Sequence, residues 1–194
     1  SASLSPTGQR AIMSARGEIF TVPIENGDTR NITQSSGAAD RAPLWSPQGD
    51  KIAWFSDNNG EFYQLMIASQ DGSSDLETIS IGESKMAWEP TWSPDGQLIA
   101  FVDDDVRIRV LDLGSNEIMT VDVGGTNIER GFNGLTWSPD SNWLAYSKAG
   151  SNSFKRIIVW SRENNEVSPL TNAFADAFAP SWDSNGKHLY FLAS

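Results

Sequence analysis

Trp45-Ser46-Pro47-Gln48-Gly49, Trp92-Ser93-Pro94-Asp95-Gly96 and Trp137-Ser138-Pro139-Asp140-Ser141 are three copies of one pattern, and Leu4-Ser5-Pro6-Thr7-Gly8 and Trp182-Asp183-Ser184-Asn185-Gly186 are looser ones. The leading residues Leu4, Trp45, Trp92, Trp137 and Trp182 lie 41, 47, 45 and 45 residues apart. A period of about 40 to 45 residues is the length of one four-stranded unit in a repeating β architecture. Ser, Pro, Asp and Gly suit successive positions of a type I turn, with Pro fixing φ at the second, so each copy predicts a hairpin.

The sequence after each turn reads as a buried strand. Ile52-Ala53-Trp54-Phe55, Ile99-Ala100-Phe101-Val102, Leu144-Ala145-Tyr146 and Leu189-Tyr190-Phe191-Leu192 are apolar at consecutive positions, as expected where sheets stack face to face. The small Ala in three of the four copies leaves room for a neighbouring sheet. A third strand follows at Glu18–Val22, Tyr63–Ile67, Arg107–Leu111 and Arg156–Trp160. Turn signals come next at Asn26-Gly27, Asp71-Gly72, Gly114-Ser115-Asn116 and Asn164-Asn165, and then a more polar fourth strand such as Ile118–Val121. Pro169 places its strand at an outer edge, because proline donates no ladder hydrogen bond. The pattern predicts an all-β fold: a β-propeller fragment of about four four-stranded blades plus part of a fifth, with residues 1–194 forming one incomplete propeller domain. The motif tryptophans are expected to pack blade against blade. The strand count does not close a ring, which is consistent with missing blades, a shortened chain, or two chains completing one assembly.

Composition narrows the chemistry. Fourteen basic residues against twenty-five acidic ones give a net charge of -11, which repels a phosphate backbone and excludes nucleic acid as a natural partner. Without cysteine there is no disulfide framework, thiolate nucleophile or cysteine-based zinc site. No apolar run is long enough to span a membrane, and the first residues carry no signal-like pattern. His188, the one histidine, occupies the repeat position of Arg10, Lys51, Leu98 and Trp143 and is expected at the surface. No Gly-x-Ser-x-Gly elbow, phosphate loop or dinucleotide fingerprint is present. Asp103-Asp104-Asp105 lacks the spacing of a calcium loop and is expected as a solvated turn. Asn31-Ile32-Thr33 matches a glycosylation acceptor, but on an outer strand it is read as coincidence. The expectation is therefore no catalytic residue, no metal and no cofactor. Binding groups are expected where loops enter the first strand of each repeat: Arg41, Trp88, Glu89, Arg130, Phe132, Asp176 and Phe178.

The Trp-Ser-Pro-Asp-Gly repeat resembles the WD40-like repeats of Tol-system propellers, prolyl oligopeptidase relatives and tricorn-type peptidases. Longer stretches are more discriminating. Ser5-Pro6-Thr7-Gly8 through Ala15-Arg16-Gly17-Glu18-Ile19, Asn31-Ile32-Thr33 to Arg41-Ala42-Pro43, Trp54-Phe55-Ser56-Asp57 and Trp143–Lys148 together resemble the tricorn protease family, and most of all its second, seven-bladed propeller. That resemblance implies a non-catalytic domain guiding peptides. The serine peptidase region with its PDZ module would lie elsewhere in a cytoplasmic homo-oligomer, commonly described as hexameric. No residue here matches the family's catalytic motifs. The alternative is a Tol-like periplasmic propeller acting as a protein–protein interaction module.

Overall fold

The motif serine closes each hairpin through its hydroxyl. Ser5, Ser46, Ser93 and Ser138 Oγ accept the N–H five residues on, from Arg10, Lys51, Leu98 and Trp143, at 3.2, 3.0, 2.9 and 2.9 Å. In the last copy Asp183 Oδ1 replaces the hydroxyl and accepts from His188 at 3.0 Å. The final residue of the turn is left-handed in all five copies, with φ of 68° at Gly8, 75° at Gly49, 76° at Gly96, 62° at Ser141 and 68° at Gly186. Glycine takes this conformation without strain. Close approach adds a second reason: a Cβ on Gly49 would lie 3.3 Å from Pro6 Cδ, and one on Gly186 3.4 Å from Pro139 Cδ, each the proline of the preceding turn. Ser141 departs from the pattern and is compensated, because its Oγ accepts the Asp95 N–H of the preceding turn at 3.0 Å.

These turns give an acid-sensitive element. The Ser138 hydroxyl and then the Asn142 N–H hold the Asp140 carboxyl below the usual carboxylate range. A carboxyl that is more acidic folded than unfolded adds stability above its unfolded pKa of about 4, and that stability is lost as pH falls through the folded value. Urea midpoints are expected to stay level from neutral pH down to about 5 and to drop below about 4. Asp140→Asn should make that drop shallower.

The computed structural model describes residues 2–35, 37–124, 132–150, 154–172 and 174–194. The described residues contain strands and turns and no α-helix. The chain divides into two units, Ser1–Ala87 and Trp88–Ser194. The first holds two antiparallel four-stranded sheets, each in sequence order: β1 (Ala2–Leu4), β2 (Arg10–Ala15), β3 (Glu18–Pro23) and β4 (Arg30–Asn31), then β5 (Arg41–Trp45), β6 (Lys51–Ser56), β7 (Gln64–Ser69) and β8 (Glu77–Ser80). The second holds β9 (Ala87–Trp92), β10 (Leu98–Asp103), β11 (Arg107–Asp112) and β12 (Ile118–Val123), with β9 beginning on the boundary residue. Next come β13 (Phe132–Trp137), β14 (Trp143–Ala149), β15 (Lys155–Ser161) and β16 (Glu166–Pro169), and a two-stranded sheet of β17 (Ala177–Trp182) and β18 (Leu189–Ala193). Pro169 ends the exposed edge strand β16, as its missing N–H requires.

Sheets pack through the alternate faces of their second and third strands. In the first unit Ile12 and Ile19 meet Trp45, Ile52, Trp54 and Met66. In the second, Leu98, Ala100, Val102, Ile108 and Val110 meet Trp137, Leu144, Tyr146, Ile158 and Trp160. The small Ala100 and the bulky Tyr146 are both fully buried in this core. The motif tryptophans also tie sheets together: Trp45, Trp137 and Trp182 donate Nε1–H to the carbonyls of Ser3, Thr91 and Thr136, each on the first strand of the preceding sheet, at 3.3, 3.2 and 3.3 Å. Trp92 instead bonds Gly96 O within its own turn at 3.1 Å.

Two expectations need correction. Asp103 is not a solvated turn residue: it is fully buried, and its carboxylate accepts from Arg107 Nε at 2.8 Å and Arg109 Nη1 at 3.1 Å. Both arginines sit on the paired strand β11, so the hairpin supplies the counter-charges that make burial tolerable. The final apolar run is not buried either, since Tyr190 and Leu192 are exposed; among the described residues β18 pairs with β17 alone. Asn31 and Thr33 are structural: Asn31 Oδ1 accepts from the N–H groups of Thr33 and Gln34, and Thr33 Oγ1 accepts from Ile19 N–H.

Candidate functional site

The first strand of each later sheet carries a backbone irregularity at one repeat position. Ala42, Glu89, Gly134 and Ala179 have φ of 49°, 51°, 70° and 53°. In β5, β13 and β17 the register slips there: two residues oppose one between Arg41 and Leu44, between Asn133 and Thr136, and between Phe178 and Ser181. These are β-bulges, which bend a strand and re-aim the side chains beside them. Proline follows at Pro43, Pro90 and Pro180, where it withdraws a donor that a bulge would leave unpaired. Gly134 stands for the strained residue in the remaining copy, and a Cβ there would lie 3.2 Å from Pro180 Cδ, so successive bulges touch. The signal was present in the sequence, as Pro two residues before the motif Trp in three repeats.

Two of the predicted binding residues flank these bulges, and two more lie at or beside the matching position of β9. In the first unit, exposed Arg41 opposes Phe55 one position before the bulge. In the second, Glu89 is the left-handed residue of β9, and its Oε2 accepts the Gly134 N–H of the next sheet at 3.1 Å. Trp88 is half-buried against the core of that unit. Phe178 is half-buried in β17 and opposes Leu192. Phe132 opposes Lys148 at the start of β13, and Arg130 lies outside the described residues. Asp176 has structural partners: its carboxylate accepts Lys155 N–H at 2.7 Å, and its carbonyl accepts Ser194 N–H at 3.1 Å. The structure thus joins Glu89 to the neighbouring bulge and engages Asp176 with the start of β15.

His188 is exposed, with Nδ1 3.4 Å from Asp183 Oδ2 and its ring beside Tyr190. Asp183 in turn accepts the backbone N–H groups of Lys187 and His188, so the pair closes a hairpin. Among the described residues no group of three or more His, Cys, Asp or Glu side chains could hold a metal ion. No helix there is long and apolar enough to cross a membrane.

The model of the tricorn protease second beta propeller domain matches residues 1–194, the whole chain. The chain belongs to this family. Tricorn protease homolog 1 of Streptomyces coelicolor is 26% identical over 199 aligned residues, which cover 100% of this chain and 18% of that relative. Among solved structures, the crystal structure of the tricorn protease matches 99% of this chain and 19% of its own with a TM-score of 0.83 at 18% identity. A putative TolB from Agrobacterium tumefaciens matches 100% of this chain and 69% of its own with a TM-score of 0.73 at 15% identity. The in-order antiparallel sheets of this tricorn-family chain are thus blades of a β-propeller fragment. The chain spans about a fifth of the length of the tricorn relatives it matches.

Proposed function

We propose that this chain is a non-catalytic propeller domain of a tricorn-like serine peptidase, guiding or gating the passage of peptides toward a catalytic region outside these residues. The observation that carries the reading is the match to the second tricorn propeller from the first residue to the last. The bulged first strands support it physically. They carry Arg41 in one unit and Phe178 in the other, each beside a bulge of a rigid sheet, and groups held on a rigid scaffold suit binding. Further blades, the peptidase region and copies of the parent chain are the proposed partners, peptides the proposed ligands, and no cofactor is required.

The test uses fluorescent peptides of about ten residues, long enough to engage several side-chain pockets. Incubated with this chain, they should bind, seen as raised anisotropy, and be recovered intact by mass spectrometry. Hydrolysis that a single substitution within the 194 residues abolishes would overturn the non-catalytic reading, and no binding by any peptide would overturn the guiding role. A second reading, an interaction module like a Tol-system propeller, draws on the fold shared with the Agrobacterium structure. The parent coding sequence separates the two. A serine peptidase region in the same chain favours the first, and an export signal with no peptidase favours the second.

A further inference from the structure

Two sheet-to-sheet junctions, one in each unit, are fastened differently at their turn ends. In the second unit, Arg162 follows β15 and reaches back to the preceding sheet, where Nη1 donates to Asp95 Oδ2 and Nη2 to Gln97 Oε1, each at 2.7 Å. The Asp95 N–H also donates to Ser141 Oγ. Together these three bonds form a polar clamp between the sheet of β9–β12 and the sheet of β13–β16.

The first unit has the same positions with other residues. Gln70 N–H bonds Asp50 O as Arg162 N–H bonds Asn142 O, which makes Gln70 the counterpart of Arg162. Repeat register equates Thr7 with Asp95, Gln9 with Gln97 and Gly49 with Ser141. Every bond of the clamp is therefore missing here. The shorter Gln70 leaves a pocket of about 120 Å³ lined by Thr7, Gln9, Arg10, Trp45 and Gly49. Its buried Oε1 has no hydrogen-bond partner, which disfavours the closed junction. The Trp45 bond to Ser3 and the packing of Gly49 on Pro6 remain.

We infer that the junction between the sheet of β1–β4 and the sheet of β5–β8 is a built-in opening point, at which the first sheet separates from the second without global unfolding, while the clamped junction of the second unit stays shut. Local opening of this kind follows the distribution of polar fastenings and cavities between otherwise similar elements. Thr7→Asp with Gln70→Arg would rebuild the missing ion pair, and Arg162→Gln would give the second unit the fastening of the first.

Hydrogen exchange with mass spectrometry reads the result on the full chain. Segments covering β2 and β3 should exchange about tenfold faster than those covering β14 and β15. The Thr7→Asp/Gln70→Arg chain should slow exchange in β2 and β3 about fivefold, and 1 M NaCl should remove most of that gain, because the rebuilt pair is near the surface. Arg162→Gln should speed exchange in β14 and β15 with circular dichroism unchanged. Equal exchange in the two units of the natural chain overturns the inference. So does a folded double variant with unaltered exchange in β2 and β3, or an Arg162→Gln chain with unaltered exchange in β14 and β15.

Discussion

Trp137→Ala is expected to lower the unfolding free energy by about 3–5 kcal/mol, the usual cost of removing a large buried aromatic side chain. Trp137 is 6% exposed and lies among Leu98, Leu144 and Tyr146. Its ring meets Trp160 edge-on, with centroids 6.1 Å apart and planes at 75°. Its Nε1–H also holds the Thr91 carbonyl of the preceding sheet. Alanine would remove all three contributions at once and leave a cavity that rigid sheets on either side close poorly. Trp137→Phe keeps much of the volume and forfeits the hydrogen bond, so it should cost about 1–2 kcal/mol. Trp143→Ala is the control: that side chain is 39% exposed, and its loss should stay within about 1 kcal/mol. Urea unfolding followed by circular dichroism measures all three free of the change in fluorescence. If Trp137→Ala unfolds at the same urea concentration as Trp143→Ala, the motif tryptophan is not a wedge between sheets.

The residues that made the repeat legible are those whose role is settled within one repeat. A Ser-Pro-x-Gly turn must close with a left-handed residue, and Pro169 cannot pair on an inner strand, so turns, strand order and the outer edge follow from local chemistry. Ala100 and Ala145 were readable because stacking of like units makes the same demand at each junction. What escaped depends on how strands pair and which side chains the pairing brings together. Asp103 looks like a solvated turn residue until Arg107 and Arg109 on β11 are seen to reach it. The exposure of Tyr190 and Leu192 reflects the two-stranded sheet that holds them, which an apolar run alone does not reveal. The left-handed residues Ala42, Glu89 and Ala179 were marked by the following prolines, yet strand patterns assume a period of two, and a bulge such as those of β5 and β17 is the point where that period breaks.

Asp103→Ala should be as costly as the loss of a core tryptophan, about 3–5 kcal/mol, because it strands charge where water cannot replace the lost partner. The Asp103 carboxylate has 0% exposure, while the Arg109 and Arg107 side chains are 15% and 32% exposed. Most of the penalty should fall on Arg109. Among the described residues it forms an ion pair with Asp103 alone, whereas Arg107 also reaches Asp105 at 2.9 Å. The carboxylate further accepts the backbone N–H groups of Asp105 and Arg107 at 3.2 and 3.0 Å, so alanine would open the hairpin as well. Asp103→Asn keeps an acceptor for those two amides and loses the charge, so it should cost less than alanine. The double change Asp103→Leu/Arg109→Leu removes both members of the buried pair and should cost less than the sum of its single substitutions, since replacing a buried pair by apolar side chains is often close to neutral. Raising the salt concentration should change the cost of Asp103→Ala little, because screening acts on exposed charges far more than on buried ones. Additive single substitutions, or a strong salt dependence, would mean that Asp103 acts as a surface charge and that β10 and β11 are held by their backbone ladder alone.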